Sequence, residues 1–424
     1  MANSIIVAAI STGQGFTDNN TKFTCISGRI INDGSEALNE SPVRDAGTFS
    51  NLFVYAPTNT ISVNSTVTLR KSRADTAITI TYGADQTGIK EDTSNTATFA
   101  ATDEVSYAVV TGSEAGTNTL TITVIGIQFA PTTDTNCISF LICSAHQSSI
   151  NIQAASTTYY MTPDGLMNNN AVSESQVEYR ARFAFTSSDF FASVNTNGRT
   201  TNTVFSTRKN SSDGGQGFTY TSGQTGVKED TSGTDSLVAG DDFCYEIVTG
   251  TGTQALALIL MSTTCTSTAS KFPLLTGYEQ ASAVAANTTT YSPAAGALIF
   301  STTEANSQIY PRFTFTASEL GVYVSSNTGA SLATTVTLRD NGGDGTLTVS
   351  YIAGQTGLKN DSVNTDAITS GGDEIDYEVT CLDLTGGVSV TWIGILGSTP
   401  QAAGAAAAVV AQKMKTRMML GVGL

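Results

Sequence analysis

The chain of 424 residues contains one histidine, His146, so a Ser-His-Asp or Cys-His arrangement has a single possible base. It lies near the start of the second of three repeated segments and has no counterpart in the other two, as expected of a surface or packing residue. The six cysteines, Cys25, Cys137, Cys143, Cys244, Cys265 and Cys381, have no metal-like spacing. The closest pair, Cys137 and Cys143, is not a CxxC, and zinc of the HExxH or Cys/His type is excluded by count. These cysteines read as free thiols of a reducing compartment, with a Cys244–Cys265 or Cys137–Cys143 disulfide as the alternative. Carboxylates are numerous enough to supply a glycosidase pair, but three near-identical copies of one active site would be unusual, and the expectation is a chain that is not an enzyme. The recurring polar set is Arg70, Arg208 and Arg339 with Asp92, Asp230 and Asp361 and the acids Asp103/Glu104, Asp241/Asp242 and Asp373/Glu374. Loop carboxylates of this kind could offer hard ligands to calcium, so Asp92, Asp230 and Asp361 are candidate Ca2+ ligands. No DxDxDG spacing occurs, and a salt-bridged turn explains the same residues.

Composition narrows the partners. With 36 acidic against 20 basic residues the net charge is −16, which opposes broad contact with nucleic-acid phosphates. Charged residues are only 13% of the chain, and the abundance of Thr, Ser, Gly, Asn and Ala favours strands and turns over ion-paired helices. The N-terminal stretch Met1 to Ile10 lacks a basic region, and its apolar run is too short for a secretory signal or a membrane span. Nothing in this stretch directs export.

Self-similarity is the strongest signal. Gln86-Thr-Gly-Ile-Lys-Glu-Asp92 returns as Gln224-Thr-Gly-Val-Lys-Glu-Asp230 and as Gln355-Thr-Gly-Leu-Lys-Asn-Asp361. Thr66 to Arg70 matches Thr335 to Arg339, with a degenerate copy at Val204 to Arg208. In the same frame lie Arg44, Arg182 and Arg312; Asn59, Asn197 and Asn327; Asp75, Asp213 and Asp344; and, with a one-residue insertion, Tyr107, Tyr245 and Tyr377. Three units follow, at 1–130, 131–267 and 268–397, with 398–424 outside the repeat.

Within a unit the pattern has period two. Val67 and Leu69 face one way and Thr66, Thr68 and Arg70 the other, as in a half-buried strand. Ala77 to Tyr82 alternates likewise, and Asp340-Asn-Gly-Gly-Asp-Gly345 reads as a hairpin loop. Several short strands with frequent turn signals and no helical period predict an all-β fold: three tandem β-sandwich, jelly-roll-like domains of eight strands each in two sheets. Trp392, in the closing strand Ser389 to Ile395, reads as core. The Ala-rich stretch 402–419 has helix propensity and carries Lys413, Lys415 and Arg417 without an acid. It predicts a short helical tail whose cations dock on a partner. Three homologous sandwiches either close around a pseudo-threefold axis or stack as a rod.

Thr66 to Lys71, Ala74 to Thr81, the Gln-Thr-Gly-Ile turn and Asp103-Glu-Val-Ser-Tyr107 together resemble repeat domains of tailed-bacteriophage virion structural proteins, of the capsid-decoration, head-fibre and tail-associated kinds. The resemblance covers the second half of each unit well and the first half weakly, and the second unit departs from it at Val204 to Arg208. It implies a jelly-roll virion component, assembled in the host cytoplasm without export signals, that partners other capsid or tail proteins, and it carries over no catalytic residue. The alternative is a glycan-binding adhesin or receptor-binding fibre, in which loops at one sandwich end contact host-surface carbohydrate.

Overall fold

A computed structural model describes residues 5–114, 116–132, 137–144, 150–167, 172–267, 271–370 and 372–399, apart from the side chains of 137–144, 150, 279 and 280. The described chain is all-β, with single turns of 3-10 helix at Glu36–Leu38, Glu174–Gln176 and Glu304–Asn306. No helix among the described residues is long and apolar enough to cross a membrane.

The first copy has eight principal strands: β1 (Ile5–Thr17), β2 (Thr21–Thr24), β3 (Gly47–Ala56), β4 (Ser65–Lys71), β5 (Ala74–Tyr82), β6 (Gly88–Phe99), β7 (Glu104–Val110) and β8 (Thr119–Pro131). The second has β9 (Cys137–Ser144), β10 (Thr158–Met161), β11 (Phe185–Asn197), β12 (Thr203–Lys209), β13 (Ser212–Tyr220), β14 (Gly226–Leu237), β15 (Asp242–Val248) and β16 (Leu256–Thr266). The third has β17 (Lys271–Val284), β18 (Thr288–Pro293), β19 (Phe315–Asn327), β20 (Thr334–Asp340), β21 (Gly343–Tyr351), β22 (Gly357–Ile368), β23 (Ile375–Cys381) and β24 (Val388–Ser398).

In the first copy one sheet runs β1-β8-β3-β6 and the other β2-β7-β4-β5, and the other two copies repeat both orders. Each sheet thus alternates strands from the two halves of the repeat, and all these pairs are antiparallel, which is the jelly-roll topology. The core lies between the sheets, where Val67, Leu69, Ile78, Tyr82 and Tyr107 are fully buried, as are their third-copy counterparts Val336, Leu338, Leu347, Tyr351 and Tyr377. Alternation read from the sequence therefore holds, because a one-residue slip would turn every one of these side chains to water.

The turns obey local chemistry. The β4–β5, β12–β13 and β20–β21 hairpins each place two consecutive residues at positive φ, Ser72-Arg73, Asn210-Ser211 and Asn341-Gly342, as a two-residue type I′ turn requires. The Gln-Thr-Gly motif closes the next turn. Gln86 Oε1 accepts the Gly83 N–H at 2.9 Å, and Gln224 and Gln355 take the N–H groups of Thr221 and Ile352. The glycine that follows sits at φ +86°, +86° and +90° in the three copies, a region costly for any residue with a Cβ. Asn59, Asn197 and Asn327 donate to carbonyls of the same turns.

Candidate functional site

The polar set singled out in the sequence divides into two local devices in each copy. Arg70 donates from Nε and Nη2 to both oxygens of Glu36 at 2.9 and 3.0 Å and from Nη1 to Asp75. Arg208 does the same with Glu174 and Asp213, and Arg339 donates from Nε to Glu304 and from Nη1 to Asp344. A planar guanidinium matched to a carboxylate is a geometrically specific pair. Here it clamps the hairpin onto the 3-10 turn of the preceding connection.

Asp92 does different work. Strand β3 bulges at Asn51, whose φ is 55°, so that Thr93 to Asn95 loop out of the β3–β6 ladder. Asp92 collects the N–H groups this exposes, accepting from Ser94 N at 3.2 Å and Asn95 N at 3.1 Å, and from Thr79 N of the opposite sheet at 3.1 Å. Asp230 takes Ser232, Gly233 and Gly217, and Asp361 takes Val363, Asn364 and Thr348. Partial burial opposes ionisation of these carboxyls, but the N–H donors outweigh it: Asp92 and Asp361 lie below the ordinary range and Asp230 falls to about 2. A carboxylate ringed by N–H donors sutures the edges of two sheets. The three candidate calcium ligands stand one in each copy, with the arginine clamp on separate residues. Among the described residues no group of three or more His, Cys, Asp or Glu side chains is placed to hold a metal. His146, the expected helix over 402–419, and Lys413, Lys415 and Arg417 lie outside the described residues. Cys25, Cys244, Cys265 and Cys381 are buried and Cys244 is a free thiol, so the Cys244–Cys265 disulfide is not formed. The side chains of Cys137 and Cys143 lie outside the described residues.

The contacts between copies form a ring. Arg44 of the first copy reaches Glu229 of the second at 2.5 Å and lies 4.3 Å over the ring of Phe191. Arg182 of the second copy donates to Asn360 of the third at 2.9 Å. Arg312 of the third pairs with Glu91 of the first. The three arginines are equivalent in the repeat, as are Glu91, Glu229 and Asn360, so one contact is used three times and the chain closes on itself around a pseudo-threefold axis. A linear rod is ruled out by the third contact.

At the axis three short segments, Gly28–Arg29, Gly165–Met167 and Gly296–Ala297, pack on one another. Each runs parallel to the first strand of its own copy and lies against the first strand of the next. Leu166 pairs with Tyr278 of β17 there, joining the sheets of the second and third copies. Gly165 and Gly296, at φ +104° and +89°, have no room for a Cβ, which would strike the Gly277 backbone and the Ala8 carbonyl respectively. Glycine is required at both by conformation and by close approach.

The seams fill one position differently. Phe53, Phe191 and Gly321 are equivalent. Phe53 packs on Tyr310 of the third copy with ring centres 5.3 Å apart, and Phe191 lies under Arg44. Gly321 leaves space into which Trp392 and Arg182 project, and Trp392, 1% exposed, packs on Tyr179 of the second copy at 6.1 Å. Trp392 is thus core, as its strand position suggested, but the core of a seam. The arginines were visible in the sequence as a repeated position. Their partners were visible as the polar residue before the aspartate of the Gln-Thr-Gly motif, Glu91, Glu229 or Asn360, yet nothing local linked the two.

No family model and no curated protein matches the sequence. Among solved structures the chain is similar to the triple jelly-roll protein described with turret assembly in an archaeal virus, at 14% identity over 93% of this chain and 90% of that one, with a TM-score of 0.19. It is also similar to a xanthan lyase from Paenibacillus, at 10% identity over 94% of this chain and 53% of that one, again with a TM-score of 0.19. Likeness at this level carries no argument about function, and the jelly-roll assignment rests on strand order.

Proposed function

We propose that this chain is a non-enzymatic structural protein of a virus particle, a pre-formed pseudo-trimer that decorates or attaches to the capsid. The observation that supports this reading best is the closed ring: three jelly rolls joined by one repeated arginine contact present three comparable ends around one axis. Such a unit fits a threefold or quasi-threefold position on a shell while needing only one chain, because symmetry lets one surface be used repeatedly. The sequence resemblance to virion repeat domains points the same way, and its partners would be other virion proteins. Residues 398–424, with Lys413, Lys415 and Arg417, are the proposed docking segment.

Cryo-electron microscopy of the native particle tests this. Density for the ring on the shell, lost when 398–424 are deleted, is the expected result. Purified particles that lack the chain would overturn the virion assignment. A ring found at a tail tip with one loop-bearing end outward, together with binding on a glycan array, would replace decoration by receptor binding.

A further inference from the structure

A cavity of about 90 Å³ lies beside Arg44 and Phe191, where the first copy meets the other two. Its wall draws on all three copies, including Val43 and Phe49 of the first, Phe191 and Ser262 of the second, and Leu274 and Leu275 of the third. Ser41 lines it too. In the repeat Ser41 is equivalent to Tyr179 and Ile309: Ser41 pairs with Val105, Tyr179 with Phe243 and Ile309 with Ile375, one position on matching strands. Tyr179 puts its ring against Trp392 at the next seam. At the first seam a hydroxymethyl stands where that phenol would be, and space remains.

Two donor atoms at this cavity are unsatisfied, and its wall also carries the carboxyl groups of Asp45 and Asp164. Ser41 is 3% exposed and its Oγ has no hydrogen-bond partner, and Nε of Arg44, another wall residue, is likewise buried without one. A buried donor without an acceptor is costly, and an apolar cavity with a few convergent polar groups is the usual form of a small-molecule site. The charge of Arg44 is already matched by Glu229, so a neutral hydroxyl suits the cavity better than a carboxylate. We propose that this cavity binds a small neutral aromatic of phenol size, its ring among Val43, Phe49 and Leu275 and its hydroxyl at Ser41 Oγ and Arg44 Nε. The ligand supplies from solution what Tyr179 supplies covalently one seam on, and it ties all three copies together at once.

The probe is p-cresol, the side chain of tyrosine as a free molecule, added to the full-length chain. Millimolar p-cresol should raise Tm by about 2 °C, while toluene, which lacks the hydroxyl, should do less. Ser41→Tyr should raise Tm without ligand and abolish the response. Should that variant fold poorly, Ser41→Ile, the third copy's residue, serves the same purpose. A p-cresol shift of equal size in the filled variants would overturn the site, as would no shift in the parent chain alongside stabilisation by Ser41→Tyr, which would mark the space as a packing defect.

Discussion

Inside each jelly roll the three copies use the same parts in the same places, whereas at the seams between them one position is filled in three ways. The arginine clamp, the aspartate suture and the Gln-Thr-Gly turn recur with the same partners. At the seams, Phe53 meets Tyr310, Phe191 meets Arg44, and Gly321 makes way for Trp392. Interior parts answer a constraint that does not bend, since buried N–H groups and bulges must find acceptors. A seam needs only a jointly filled volume, so a loss on one side can be made good by a gain on the other.

The strongest way to break the comparison is Trp392→Ala. It empties the seam between the second and third copies and should cost about 4 kcal/mol in chemical denaturation. The paired change Trp392→Leu with Gly321→Phe, which copies the first seam's Leu260 and Phe191, should recover most of the loss. An uncompensated double variant would show the seams are not interchangeable solutions.

Asp376 tests whether interiors tolerate drift. It sits where the other copies have Ser106 and Cys244, is 1% exposed, and neither carboxyl oxygen has a hydrogen-bond partner. Burial foremost, then Glu304, Glu378 and Glu374, push it up to about 8 against the pull of Arg339. The folded chain keeps a proton that the unfolded chain releases above about pH 4, so this group lowers stability progressively between about pH 4 and pH 8. Asp376→Ser, the first copy's residue, should raise stability by roughly 3 kcal/mol at pH 8 and flatten the pH slope. An unchanged slope in urea titrations from pH 5 to pH 8.5 would refute this.

Asp230→Asn probes the suture. Its loss should cost about 2 kcal/mol near neutral pH. With the folded carboxyl at about 2, its contribution is full above about pH 4 and disappears as pH falls through the folded value. The acid-unfolding curve of the variant should therefore be shallower than that of the parent. The smallest effect belongs to Glu229→Gln at the first seam. Because Glu229 is exposed, the loss should stay under about 1 kcal/mol and shrink with added salt, whereas at the next seam Arg182, nearly buried and 4.0 Å from Glu319, should be screened less.

Most of each copy was legible from its residues. The alternation at Val67 and Leu69, the hairpin at Asn341-Gly342 and the Gln-Thr-Gly turn are short-range patterns, and each folds as its own residues dictate. The candidate site was legible only in part. Asp92, Asp230 and Asp361 stood out as a recurring acid, but their duty at a bulge opposite Asn51, Asp189 and Glu319 depends on a neighbouring strand that the motif does not mention. Trp392 and Ser41 gave no sign of facing another copy, since a buried aromatic and a small polar residue look the same in a seam as in a core.

The sequence by itself determined the repeat, the alternating faces of strands such as Thr66 to Arg70, and the turns, because periodicity and turn chemistry act over a few residues. Only the tertiary structure decided that the copies close into a ring, which residues meet at the seams, and where a phenol-sized space remains. Those outcomes rest on contacts such as Arg44 with Glu229 and Arg182 with Asn360, 185 and 178 residues apart, where packing is settled by the shapes of two finished surfaces and not by any local preference of either.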